Sequence, residues 1–193
     1  MSLVELIAQA DERGLAASGL ACLDRCVPLL GGDDEILRPL WASLAEPDVW
    51  GSGGSWGDRI EQIRAKLDAD APEPALTDED EAAVLTRRML DAVPAEPSAA
   101  GLRTWADACS VAALQIHRLL DVADDGASCV TARREGRTDG MSPLVAAELR
   151  RQVTILELLA DRGAGGLRLA LVASTEGRRV LRAVVSRRAR GRA

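Results

Sequence analysis

Two long segments repeat their apolar residues at helical spacing, and this leaves little choice of fold class. From 98 to 124, Trp105, Cys109, Ala112, Ile116, Leu119 and Ala123 fall in one stripe at about 100° per residue. From 143 to 161, Val145, Leu149, Val153, Leu156 and Ala160 do likewise, with Ser142-Pro143 as N-cap and first helical residue and Gly163 as the stop. Leu3, Leu6, Ile7 and Ala10 give a shorter face over 3–12, closed by Gly14. Further helices are expected over 15–28, from Asp33-Asp34-Glu35 past Pro39, from 55 or 57 to 70, and from an N-cap at Thr77 to 93. The expectation is an all-α fold, an irregular bundle of six to eight helices with 98–124 and 143–161 as an antiparallel central pair.

The C-terminal segment reads two ways. Leu167, Leu171, Leu181 and Val185 fit a helical stripe, whereas Leu167-Arg168-Leu169-Ala170-Leu171 alternates and Thr175-Glu176-Gly177 would serve as a hairpin turn. A helix, bent or interrupted at Gly177, agrees better with the rest of the chain. The stretch from Gly126 to Met141 is a long polar connection carrying Arg133, Arg134, Arg137 and Asp139.

What fills the interior is unusual. Of 193 residues 47% are apolar, enough for a globular core, but four Trp are the only aromatics, so Ala, Leu and Val must do most of the packing. Nowhere do about 18 uncharged apolar residues run together, and the N-terminus lacks a basic leader with a cleavage site, so no membrane partner and a cytoplasmic location are expected. Cys22, Cys26, Cys109 and Cys129 are too few and too scattered for a disulfide scaffold.

Charge is divided by position. Residues 168–193 carry eight Arg against one acid, Glu176, a net +7, while residues 1–167 carry 16 basic and 29 acidic residues, a net −13. The chain accordingly reads as an acidic helical domain, 1–167, and a basic segment, 168–193, docked on the same domain or on a second subunit. With 23 Arg, one Lys and no Asn, the preference for Arg follows from codon usage as readily as from recognition chemistry. The clustering does not. Arg178, Arg179, Arg182, Arg187 and Arg188 are therefore the expected contacts to an acidic protein partner or a second copy, joined by Trp50 and Trp56 as candidate interface aromatics beside the Gly51–Ser55 loop. Nucleic acid bound by the tail, with Arg133, Arg134 and Arg137, is the alternative, opposed by the acidic body.

No nucleophile motif, P-loop or zinc pattern is present. His117, the single histidine, lies four residues before Asp121, a spacing at which the carboxylate would orient the imidazole as a general base. Asp121 and Asp124 would place two carboxylates one turn apart for Mg²⁺. The run Asp121-Val-Ala-Asp124-Asp125 resembles the aspartate motif of the helical isoprenoid synthases, which implies Mg²⁺ bridging those acids to a diphosphate; no second acidic motif of that kind occurs. Cys22 and Cys26, at i and i+4, would face one point but lack a full zinc set, and buried reduced thiols are expected instead. No cofactor and no metal is expected. The leading function is a non-enzymatic interaction or regulatory module, with a small helical enzyme using His117 and Asp121, or Asp121 and Asp124, as a rival.

Overall fold

The computed structural model describes residues 1–46, 53–67, 77–121 and 129–191, and among these every regular element is helical. The α-helices are α1 (Leu3–Gln9), α2 (Glu12–Cys26), α3 (Arg38–Ala45), α4 (Gly53–Leu67), α5 (Asp78–Asp91), α6 (Ala99–Leu120), α7 (Val130–Arg134), α8 (Pro143–Arg162) and α9 (Leu167–Gly191). Short 3₁₀ turns follow α2, at Val27–Leu30, and α8, at Gly163–Gly166. The bundle is all-α, as the periodicity predicts.

Side-chain caps account for the starts of α1, α2, α5 and α6. Ser2 and Glu5 form a reciprocal capping box on α1, and Thr77 with Asp80 does the same on α5, each satisfying amide groups that a helix start leaves unbonded. Ser98 accepts from the Gly101 amide at the start of α6. Asp11 accepts from the Gly14 amide at 2.7 Å and starts α2 three residues ahead of the expected position. Gly14, read from the sequence as a stop, therefore lies in the first turn of the next helix.

The centre of the bundle is α2, not an α6/α8 pair. All residues from Gly14 to Cys26 are buried, and α6, α8 and α9 all pack on this helix. Gly19 permits the closest approach, because a Cβ there would stand 2.6 Å from Trp105 of α6. Trp105 is buried and donates its indole N–H to the Met89 carbonyl at 2.9 Å, which ties α6 to α5. The long connection after α6 contains the single-turn helix α7.

The C-terminal segment is one helix. Gly177 does not interrupt it, and the hairpin alternative is excluded by unbroken α-helix from 167 to 191. Its glycine has a packing role: a Cβ at 177 would lie 2.3 Å from Cδ of Arg25 and 3.0 Å from Cδ of Arg151. Leu167, Ala170, Ser174 and Leu181 are also buried, so α9 contributes to the common core.

Gly177→Ala weighs two effects against each other. Alanine in a helix interior is favoured over glycine by about 1 kcal/mol, whereas crowding a packed interior costs about 1–3 kcal/mol. Because the nearest obstructing atoms belong to Arg25, whose guanidinium is fixed by Glu148, crowding should prevail. Urea unfolding is expected to show net destabilisation of roughly 1–2 kcal/mol with an unchanged m-value.

Candidate functional site

Polar side chains enter the interior as one connected network. Arg25 of α2 meets Glu148 of α8 in a bidentate pair, Nε donating to Oε2 at 2.8 Å and Nη2 to Oε1 at 2.5 Å, with both side chains at 0% exposure. Gln152, one turn beyond Glu148, donates to Oε1 at 2.8 Å and accepts from the Ser110 hydroxyl at 2.7 Å. Ser110 in turn accepts from Arg134 Nε of α7 at 3.0 Å, and Arg134 closes the chain on Asp107 near the surface. Helices α2, α6, α7 and α8 are thereby linked through charge-assisted bonds.

His117 sits inside this network and not beside Asp121. Its ring is fully buried; Nδ1 lies 2.7 Å from the Ala113 carbonyl, so Nδ1 carries the proton donated there, and Nε2 stands 3.5 Å from Glu148 Oε2. Burial pushes the imidazole below its ordinary pKa, with Arg25 and Arg151 adding to the effect and Glu148 opposing it. For Glu148, burial alone would raise the carboxyl; the Arg25 charge and the hydrogen bonds from Arg25 and Gln152 outweigh it and hold the group below the usual carboxylate range. The neutral imidazole leaves Nε2 without a hydrogen-bond partner among the described residues.

Asp121 does different work from that expected of it. It ends α6, and its Oδ2 accepts the Leu144 backbone N–H at 3.1 Å, satisfying an amide in the first turn of α8. Asp124, its proposed Mg²⁺ partner, falls outside the described residues, as does Trp50. No cluster of metal-ligating side chains occurs among the described residues. Burial pushes the Cys22 thiol up to about 12 and raises Cys26 and Cys109 well above the ordinary value, so these sulfurs remain protonated.

Trp56, read as an interface residue, is instead a core residue at 1% exposure, its indole N–H donating to the Pro94 carbonyl at 2.9 Å. An indole that must both pack and find an acceptor gains both in the crevice beside Pro94. The arginines of 133–137 also turn inward or onto their own loop: Arg134 is buried, Arg133 donates to the Arg137 and Asp139 carbonyls, and Arg137 pairs with Glu135.

The basic helix is divided in its use. Arg178 reaches buried Asp24 at 2.7 Å and Asp34 at 3.3 Å, and Arg182 completes a bidentate contact on Asp34. Burial raises the Asp24 carboxyl, opposed by Ser174, which donates to it at 2.7 Å, and by Arg178; Asp34 is lowered, chiefly by its bond from Arg182. Arg188 pairs with Asp78 at 2.7 Å and with Glu79 at 3.4 Å. Arg168, Arg179, Arg187 and Arg190 are exposed. Near Arg187, the ends of α6, α8 and α9 diverge to leave an apolar groove of about 670 Å³, floored by Leu120, Leu144, Ala147, Val180 and Val184. No helix among the described residues is long and apolar enough to cross a membrane.

These features define an all-α bundle with a buried charged network, a basic helix spread over an acidic body, and an apolar surface groove. Comparison with protein-family models, curated proteins and solved structures yields no match.

The buried imidazole predicts an acid-sensitive fold. A histidine whose folded pKa is depressed takes up a proton more readily when unfolded, so its contribution to stability is complete above the unfolded value, about 6.5, and is lost as pH falls below it. Denaturant midpoints measured from pH 7.5 to 5 should fall with pH for the wild-type chain, and the slope should be shallower in His117→Gln. Glu148→Ala strands the buried Arg25 charge and is expected to cost about 3–5 kcal/mol.

Proposed function

We propose that the chain is a non-enzymatic helical interaction module, which meets an acidic protein surface through the outward face of α9. The supporting observation is the division of its arginines. Arg178, Arg182 and Arg188 are bound by acids of the same chain. At about 100° per residue, exposed Arg168, Arg179, Arg187 and Arg190 fall within a sector roughly 100° wide on the opposite side. Leu169 and Val172, at 37% and 57% exposure, lie in that same sector.

Cations around exposed apolar side chains suit a protein contact better than a purely solvated face, which has no use for a bare valine. A body of net −13 supplies complementary surface, so a second copy is the partner favoured here, with α9 of one protomer against the acidic body of the other. The same body repels a phosphate backbone, which disfavours nucleic acid. Catalysis by His117 is disfavoured by its full burial and by the separate engagement of Asp121.

Deleting the tail is not a suitable test, because it would remove Leu181 and the Arg178–Asp24 pair from the interior. Substitution on the outward face is. In sedimentation velocity at low salt, the wild-type chain should exceed monomer mass and revert to monomer as salt rises to about 0.5 M, where charge interactions are screened within several ångströms. Arg179→Glu with Arg190→Glu should be monomeric throughout. A wild-type monomer at every salt concentration would rule out self-association.

A further inference from the structure

The groove at the meeting of α6, α8 and α9 is chemically lopsided. Its lining on α9 runs from Val180 to Gly191, eleven residue steps or about 16 Å along the helix. The apolar lining is Val180 and Val184 of α9 together with Leu120 of α6 and Leu144 and Ala147 of α8. Both arginines of the groove lie toward the far end, at 187 and 188.

The charged groups there are not equivalent. Arg188 is held by Asp78 and Glu79 and donates to the Leu120 carbonyl at 3.4 Å. Asp121, the acid of the wall, is turned to the Leu144 amide. Arg187 is exposed and makes no ion pair or hydrogen bond among the described residues. The groove therefore offers a strip of apolar surface ending at one uncommitted cation.

Size separates a small ligand from a protein segment. Ten residues line the groove, well short of the roughly 20–30 a side found in stable protein interfaces. Its volume of about 670 Å³ falls in the range of small-molecule sites, about 300–1,000 Å³. We infer that this groove binds a free single-chain anionic amphiphile, a long-chain carboxylate whose head meets Arg187 and whose chain lies along Val184, Val180, Leu144 and Leu120. The apolar strip contributes through burial of methylene groups, and the guanidinium sets polarity by a charge-assisted, bidentate contact. Arg187 stands at the border of the outward face assigned above to protein contact, while Arg179, Arg190 and Val172 of that face lie outside the groove lining.

The test uses the full chain and dodecanoate below its micellar concentration, followed by titration calorimetry. One saturable site is expected. Arg187→Glu should weaken it about tenfold or more, as loss of a hydrogen bond to a charged group does. Val184→Asp should remove binding, and dodecan-1-ol should bind about tenfold more weakly than the carboxylate. Arg179→Glu with Arg190→Glu leaves the groove lining intact and should retain dodecanoate binding whatever it does to assembly, so loss of assembly and loss of ligand binding are distinguishable. Circular-dichroism melts of each variant confirm an intact fold, since 187 is exposed and 184 only half-buried. Absence of saturable binding by the wild-type chain would overturn the inference, as would equal affinity in wild type, Arg187→Glu and Val184→Asp, or binding to anionic vesicles without binding to the monomeric carboxylate.

Discussion

Arg25 and Glu148 lie 123 residues apart and are both removed entirely from water. Two ions placed there lose several kcal/mol of hydration each, and their attraction offsets this only when geometry and the remaining hydrogen bonds are good. The conditions met here are specific. The guanidinium engages both carboxylate oxygens through Nε and Nη2, Gln152 adds a third donor, and Nη2 also reaches Cys22 Sγ at 3.4 Å, while Nη1 is left without a hydrogen-bond partner among the described residues. Each of these partners occupies one place on one helix, so α2 and α8 cannot slide or rotate against each other without stranding a charge. The rest of the interior is mostly Ala, Leu and Val, whose packing discriminates far less between neighbouring registers. The ion pair thus supplies an exactness of arrangement that the aliphatic residues around it do not.

Other features follow from accommodating that pair. Arg25 points toward α9, and the helix can close over it only where no side chain intervenes, which places Gly177 in the middle of α9. One residue earlier on α2, Asp24 faces the same helix and takes Ser174 and Arg178. Adjacent charges on α2 therefore serve different neighbours: Arg25 is spent on α8 and Asp24 on α9. The cost appears at His117, whose Nε2 faces a carboxylate oxygen with no proton to share. A fully satisfied network would have no such position, and it is a point at which acid acts against the fold.

Helix positions were legible in the sequence because they depend on local chemistry. Spacing of apolar residues and the Thr77, Ser98 and Ser142-Pro143 starts specify α5, α6 and α8 without reference to anything distant. Glycines were misleading for the opposite reason: Gly14 and Gly177 resemble stops in sequence, but the first is tied by Asp11 and the second is required by Arg25. The network itself left a signal that periodicity passes over. Asp24-Arg25 are the only charges between residues 14 and 26, in a helix with no polar face to receive them, and Glu148 and Gln152 stand one turn apart within the apolar stripe of α8. Their pairing depends on how α2 and α8 meet, which no single-helix pattern contains. Trp56 was misplaced by the same limit, since Pro94, its acceptor, is 38 residues away.

The division of charge along the chain takes on a different meaning once the helix is seen in place. Acids at 24, 34 and 78 are spread through the first half of the sequence, yet each meets an arginine of α9. The basic helix consequently spans the bundle and is fastened at successive points, the first buried and the two later ones more open to water. Burial matters more than the number of pairs. The Arg178–Asp24 contact is shielded and keeps its strength in salt, whereas Arg182 and Arg188 share their acids with solvent and gain little individually. The inner half of α9 is thus held by packing and shielded charge, while its outer half rests on weaker contacts beside the apolar groove. Any ligand or partner that engages Arg187 acts on the less firmly held end, where small differences in binding energy are comparable to the interactions that keep the helix seated.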